Sequence, residues 1–436
     1  AALILYSSLG IMLINQDVRT DTIMIGLIAF SCWQLVAFQQ SGKWMNLIGA
    51  FVGMGLAMLT KGPLGLVLPA AALFTDAALK RDWKSLFRWE WLAGIGIIGV
   101  ILFPMCWGLY HQWDLHPEKE LYGKSGISGL KFFFWDQSFG RLTGDNPFIN
   151  ELKPQQGNDP TFFIHTTLWS FLPWMIILCG AVVVHIRKVI RTRFRLKATE
   201  EGFTLGAFII PLIAVSLSDY KLPHYIYPSF PFLAIIIGNW LHRIDAGKGL
   251  FNAQQITGFV LLTGAMSLMV WSFPTSALST WLLPTIALIG LIAMYIRWIP
   301  HVRKAILVSG MLTAVGLNGV LNAHFYPSLA HYEAGIHAAR YLKDANVSPE
   351  QVFLYRSSYH AFEFYYGHIV ESKEVMDKRG YYLVKEEDYA SELSSKTTVI
   401  HVWDYHNPTV LTGGFLATAS RDKHIQRYLL VSVVNP

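Results

Sequence analysis

Ser218-Asp219-Tyr220-Lys221-Leu222-Pro223-His224-Tyr225-Ile226-Tyr227-Pro228 lies between two long apolar runs, 203–217 and 225–241. A lysine at the centre of a bilayer costs roughly 2.5–3.5 kcal/mol on insertion scales. Such a residue persists at a helix end, in a wet cavity or opposite an anion. The stretch therefore reads as a break between two membrane helices. It poses two questions: which anion Lys221 faces, and from which side of the membrane.

The rest of the chain has the composition that this reading needs. Of its 436 residues, 53% are hydrophobic and 15% are charged. Soluble domains usually carry about 25% charged residues. The apolar residues cluster in runs approaching the length of about 20 that spans a bilayer. We read eleven spans: 1–14, 22–38, 46–59, 62–79, 91–110, 163–186, 203–217, 222–241, 253–273, 279–297 and 305–323. Fifteen tryptophans fit interfacial belts. Cys32, Cys106 and Cys179 all fall inside apolar runs, where they read as small buried side chains. The chain opens inside an apolar run without a basic leader, so further sequence is expected upstream of residue 1.

Basic residues set the orientation. Lys80 to Arg88, Arg187 to Lys197, Arg243, Lys248, Arg297, Arg303 and Lys304 fall on one side, and the positive-inside rule makes that side cytoplasmic. The short loops opposite hold Arg19, Lys61 and Lys221. The run from Arg187 to Lys197 flanks a helix end, which accounts for it without nucleic acid. Two longer segments then lie outside the cytoplasm: 111–162, and 324–436. The second has soluble composition and forms a domain of its own beside the membrane domain, 1–323. In it, Tyr332–Asn346 and Tyr359–Gly367 read as helices. Gln351–Tyr355, Tyr381–Lys385, Thr397–Trp403, Gly414–Ala419 and Tyr428–Val434 read as strands of a small α/β fold.

Each outer cation sits in a polar knot. Arg19 lies in Gln16-Asp17-Val18-Arg19-Thr20-Asp21. Lys61 lies in Leu59-Thr60-Lys61-Gly62-Pro63, and Lys221 in the stretch quoted first. Gly62-Pro63 and Leu222-Pro223 break helices and leave free N–H groups at the next helix start, where anions are favoured. Cations and helix N-termini gathered on one face would hold a phosphate. In the long outer segment, Lys131-Phe132-Phe133-Phe134-Trp135-Asp136-Gln137-Ser138-Phe139-Gly140-Arg141-Leu142 reads as an interfacial amphipathic helix. Asp136 and Arg141 are spaced poorly for an intrahelical pair and could face a site. His324, His331 and His337 do not match a common zinc spacing. No Gly-rich phosphate loop or nucleophile elbow is present, and an enzyme outside the cytoplasm has no ready sugar nucleotide. A lipid-linked activated donor is the natural substitute.

In these motifs the chain resembles the polyprenyl-phosphate-sugar-dependent membrane glycosyltransferases of GT-C fold. That superfamily includes protein O-mannosyltransferases and the lipid A aminoarabinose transferases. The matching pieces are Val18-Arg19-Thr20-Asp21, Leu59-Thr60-Lys61-Gly62-Pro63, Phe133-Phe134-Trp135-Asp136 through Arg141-Leu142-Thr143-Gly144, Leu172-Pro173-Trp174, and Lys221-Leu222-Pro223-His224-Tyr225-Ile226-Tyr227-Pro228. The resemblance runs from residue 1 to about 330 and is nearer to the lipid A branch. It implies thirteen spans followed by an extracytoplasmic α/β domain, so two spans and the acidic loop between them would precede residue 1. The catalytic base would lie in that loop; Asp21 and Asp136 are weak substitutes.

The resemblance also implies a polyprenyl-phosphate-linked sugar donor, a lipid, glycan or protein acceptor, and a site outside the bacterial inner membrane. Lys61, Lys221 and Arg141 become candidates for phosphate contact. His224 and Tyr225 would touch phosphate or sugar, and Arg19 with Asp21 would orient the donor head group or the acceptor. No cofactor is required, although a divalent metal is compatible with such chemistry. The competing readings are a transporter or flippase of a lipid-linked anion and a non-catalytic scaffold. One-sided polar knots and the absence of a repeat weigh against the transporter, and Lys61 and Lys221 weigh against the scaffold. The orientation has a direct check. In a chain stripped of its three cysteines, Arg195→Cys and Lys124→Cys are expected to react with an impermeant maleimide from opposite faces of sealed vesicles. Labelling of both from one face would contradict the charge map.

Overall fold

The computed structural model describes all residues except 18, 122, 144–158, 198, 219–220, 245–246, 298–300, 393–396, 408–410 and 434–436; at 141–142 and 390–392 it describes the backbone alone. The chain packs into two compact units. One comprises Ala1–Phe259 and Gly290–Ala314, the other Val260–Ile289 and Val315–Pro436.

All eleven apolar runs are helical over most of their length. Among the described residues, six helices are long and apolar enough to cross a membrane by length and composition: Asp21–Ser41, Trp44–Lys61, Trp83–Asp114, Lys248–Ser272, Leu278–Ile296 and Val302–Ala330. Other runs are broken where their sequence carries a breaker. The first splits into Ala2–Tyr6 and Leu9–Ile14 at Ser7-Ser8. The Ser7 hydroxyl accepts the Trp174 indole N–H at 2.9 Å. The run 163–186 splits around Leu172-Pro173 into Phe162–Ser170 and Met175–Arg191. The run 222–241 begins as a 3-10 turn, Pro223–Ser229, before the helix Phe230–Arg243.

Close packing inside the first unit follows its small residues. Asp21–Ser41 lies along Trp44–Lys61. A Cβ on Gly53 would collide with Ser31 and Phe30, and Ala57 is fully buried. The stripe Gly49, Gly53, Ala57 thus lets two helices approach. Leu64–Lys80 runs antiparallel to Phe203–Ser216. Buried Asp76 ties them at one end, accepting the Gly202 N–H at 2.8 Å and the Lys80 ammonium at 2.8 Å. The opposite ends of the same helices carry Lys61-Gly62-Pro63 and Ser218 to Lys221. One clamp therefore sets the register of two polar knots.

In the second unit, five strands form one sheet: β1 (Val352–Tyr355), β2 (Ser372–Lys373), β3 (Gly380–Lys385), β4 (Thr398–Tyr405) and β5 (Gln426–Val433). Their order is β2-β1-β3-β5-β4, with β1 parallel to β2 and β3, and β5 antiparallel to β3 and β4. Side chains alternate between two cores. Val352, Leu354, Leu383 and Leu430 meet the helices Ala334–Asp344 and His360–Tyr366. Phe353, Tyr382, Val384 and Leu429 face the other way, toward Tyr389.

Three elements differ from the sequence reading. Gly414–Ala419 is no strand: Gly413–Leu416 forms a helical turn. There the Thr412 hydroxyl accepts the Phe415 N–H, and Arg421 draws on the Phe415 carbonyl at 3.0 Å. Local capping outweighs the apolar character of the run. The helix Glu386–Glu392 and the two-residue β2 had no counterpart in the sequence reading. Leu430 is fully buried on β5, between β3 and β4. Leu430→Ala is expected to destabilise the C-terminal domain by about 2–5 kcal/mol. Limited proteolysis across a temperature series would register this as an earlier cleavage midpoint; an unchanged midpoint would contradict the packing.

Candidate active site

The polar knots converge. Leu222 is extended (φ −125°, ψ 139°), as a residue before proline must be, and Pro223 opens the 3-10 turn. That turn presents His224 and Tyr225, both half-buried. An Arg19 Nη1 lies 3.1 Å from His224 Nδ1. Arg19 also pairs with Asp17 through Nε. The Lys61 ammonium donates to Asp21 Oδ1 at 2.5 Å and stands 5.3 Å over the Tyr225 ring. Asp21 is only 4% exposed and Lys61 25%. Residues separated by up to 205 positions thus form one cluster.

Local backbone needs explain the placement. Asp21 is the first residue of its helix, where a carboxylate is favoured. Lys61 is the last residue of the next, where a cation is favoured. Gly62 then turns the chain with φ +71°, a conformation glycine adopts freely. A Cβ there would meet the Ser138 hydroxyl at 3.0 Å and the Phe133 carbonyl at 3.3 Å. The segment Phe132–Phe139 is a π-helix, and it reaches the Lys61 turn through this contact. Asp136 on it is buried at 4% exposure, while Trp135 is half exposed.

Lys221 lies two residues before that turn and is 4% exposed. No hydrogen bond to its ammonium is found among the described residues. Its named electrostatic neighbour is Asp159, ahead of the helix Phe162–Ser170. The Thr161 hydroxyl and then its backbone N–H hold the Asp159 carboxyl below the usual carboxylate range, with smaller help from His165 and Lys221. His165 Nε2 lies 3.7 Å from that carboxyl.

An apolar cavity opens beside the cluster. Lys61 and Tyr225 stand in its wall with Gln137 and Ser138, while Val67, Ile210 and Ala214 extend it between Leu64–Lys80 and Phe203–Ser216. A slot with a lysine on its wall suits an amphiphile carrying an anionic head.

Of the candidates read from the sequence, Arg19, Asp21, Lys61, His224 and Tyr225 are brought together. Lys221 lies two residues before the turn of His224 and Tyr225, with Asp159 as an electrostatic neighbour. Asp136 is buried on the π-helix whose neighbours line the slot. The Arg141 side chain lies outside the described residues. Sequence reasoning missed Asp17 as the partner of Arg19, and Asp159 with His165. The Asn158-Asp159-Pro160 break was the available signal for the latter. Among the described residues no group of three or more His, Cys, Asp or Glu could hold a metal ion.

Residues 1–107 match the family model described as dolichyl-phosphate-mannose-protein mannosyltransferase. Over 251 residues the chain is 27% identical to the undecaprenyl phosphate-alpha-4-amino-4-deoxy-L-arabinose arabinosyl transferase of Edwardsiella ictaluri, covering 54% of this chain and 39% of that one. Over 205 residues it is 30% identical to such a transferase, numbered 1, of Pseudomonas fluorescens, covering 46% and 32%. These matches span well under half of each relative. The crystal structure of ArnT from Cupriavidus metallidurans bound to undecaprenyl phosphate superposes with a TM-score of 0.71 at 16% identity, covering 99% of this chain and 78% of that one. Its fold is that of ArnT. The resemblance drawn from the motifs agrees with these findings. The chain is an integral membrane protein with the GT-C architecture.

The Lys61–Asp21 pair of this ArnT-like fold can be tested directly. Lys61→Ala leaves the buried Asp21 carboxylate without its ammonium, and removing one partner of a buried pair costs about 3–5 kcal/mol. A lower thermal midpoint is expected, partly restored in Lys61→Ala/Asp21→Asn. A double variant no more stable than the single would show that the pair carries no such energy.

Proposed function

We propose that this protein is a glycosyltransferase that moves a sugar from a polyprenyl-phosphate donor to an acceptor at the extracytoplasmic face of the bacterial inner membrane. The acceptor class is a lipid of the lipid A kind, a glycan or a protein, with the lipid favoured by the named relatives' branch. The observation that carries the reading is the apolar slot with Lys61 and Tyr225 in its wall, with the buried Lys221 four residues before Tyr225 in the chain. An isoprenoid tail suits the slot, and its phosphate suits the cations. The orientation is supported by the basic loops on the opposite side of the helices.

The chemistry follows from charge. The acceptor oxygen bonds to the anomeric carbon while the bond from that carbon to the phosphate oxygen breaks. The electron pair leaves on the lipid phosphate, which gains negative charge. Fixed cations at that position stabilise the transition state more than the ground state. Lys221 is the strongest candidate, because Lys61 already has Asp21 against it. Lys61 and Arg141 complete the proposed clamp, and Tyr225 supplies a hydroxyl donor. Arg19 orients His224, while Asp21 holds Lys61. Charge compensation thus rests on side-chain cations in this reading. No catalytic base is assigned: Asp21 serves as a counter-ion, and Asp136 stays a weak candidate.

The test is transfer of labelled sugar from a polyprenyl-phosphate donor in proteoliposomes. Lys221→Ala is expected to cut the rate by roughly 100-fold or more. Transfer that survives this change undiminished would remove Lys221 from the clamp. Donor movement across the bilayer without bond cleavage would replace the transferase by a transporter.

A further inference from the structure

The contact between Arg19 Nη1 and His224 Nδ1, at 3.1 Å, has only one chemical reading. A guanidinium has five N–H donors and no acceptor. The Nδ1 atom must therefore be the acceptor, with its lone pair engaged. In the neutral ring the proton then sits on Nε2. Arg19 is itself held by Asp17 through Nε, so its fork is fixed from the other side. Among the described residues Nε2 has no hydrogen bond of its own, which leaves its proton available to a ligand.

We propose that Arg19 locks His224 as the Nε2–H tautomer, making the ring a fixed hydrogen-bond donor to the substrate's phosphate or sugar and neither an acid nor a base. The identity of the ligand rests on the transferase reading above; the tautomer does not. Charged groups act on the ring from two helices and the segment before the first of them. Asp17 and Arg19 come from the segment before Asp21–Ser41, Asp21 from the start of that helix, and Lys61 from the end of Trp44–Lys61. On its own segment stand Lys221 and Tyr225, the latter edge-on at 5.0 Å between ring centres.

The transfer step balances without a proton from His224. The acceptor's proton goes to a separate base, the electron pair of the breaking bond goes to phosphate, and His224 keeps its hydrogen throughout. Giving up the Nε2 proton would leave an imidazolate. Taking a second proton at Nδ1 would displace Arg19. Arg19 is thus a positioning residue that acts through the ring.

The experiment uses the full chain in nanodiscs, with two readouts. The first is the sugar-transfer rate at pH 8. Arg19→Ala is expected to be slower than wild type by roughly tenfold or more. Arg19→Lys keeps a donor for Nδ1 and should retain most of the wild-type rate. Arg19→Ala/His224→Ala should be no slower than His224→Ala alone, because Arg19 acts through the ring. The second readout is the 15N signal of the ring, assigned by difference against His224→Ala. It should show Nε2–H in wild type and a mixture of the two neutral tautomers in Arg19→Ala. A wild-type ring found as Nδ1–H, or an Arg19→Ala ring that stays wholly Nε2–H, would overturn the lock. A wild type that transfers no sugar would instead sink the transferase reading, while the 15N signal still decides the tautomer.

Discussion

An ammonium group cannot stand alone among apolar helices, and the Lys61–Asp21 pair is how this chain meets that constraint. Two helices that pack along each other through Gly53 and Ala57 place a carboxylate at one N-terminus beside a lysine at a C-terminus. Both charges sit where the helix dipoles favour them. The pair in turn stations Lys61 over Tyr225, which belongs to the turn after Lys221. Removing either charge would leave the other buried against hydrocarbon, so the geometry of the cluster and the stability of the helix pair are coupled.

Breaks in the helices serve the same end. Gly62-Pro63 and Leu172-Pro173 separate consecutive helices, and Leu222-Pro223 opens a 3-10 turn after Phe203–Ser216 has ended. Pro63 and Tyr225 line the slot, and the break at Leu172-Pro173 follows the helix Phe162–Ser170 that carries His165. The Asp76 clamp at the far end of Leu64–Lys80 and Phe203–Ser216 keeps their open ends in register. A site assembled from helix ends in this way can present charge beside a lipid-like slot, because Lys61 belongs both to the polar cluster and to the slot's wall.

Much of this was legible in the residues. Charged side chains at the edges of apolar runs are costly enough that their presence marks a site, and that cost singled out Arg19, Lys61 and Lys221, while the roles of Asp21, His224 and Tyr225 came from the resemblance. Strands β1, β3, β4 and β5 showed as β-rich apolar runs. The failures share a cause. Gly413–Leu416 turns because Thr412 and Arg421 hold its backbone, and Arg421 is several residues away. Glu386–Glu392 carries an acidic first turn that reads equally as loop. Asp159 gained meaning only from Lys221, some sixty residues further on.

The sequence alone determined the class of molecule, the helix breaks and the side of the helices on which the cations gather. These follow from local solvation costs, which each residue carries with it. Only the tertiary structure decided the pairing: which carboxylate answers which cation, which nitrogen of His224 faces Arg19, and that an apolar slot runs beside them. Pairing depends on distances between helix ends far apart in the chain. Those distances are set by helix packing and by clamps such as Asp76, which no local pattern encodes.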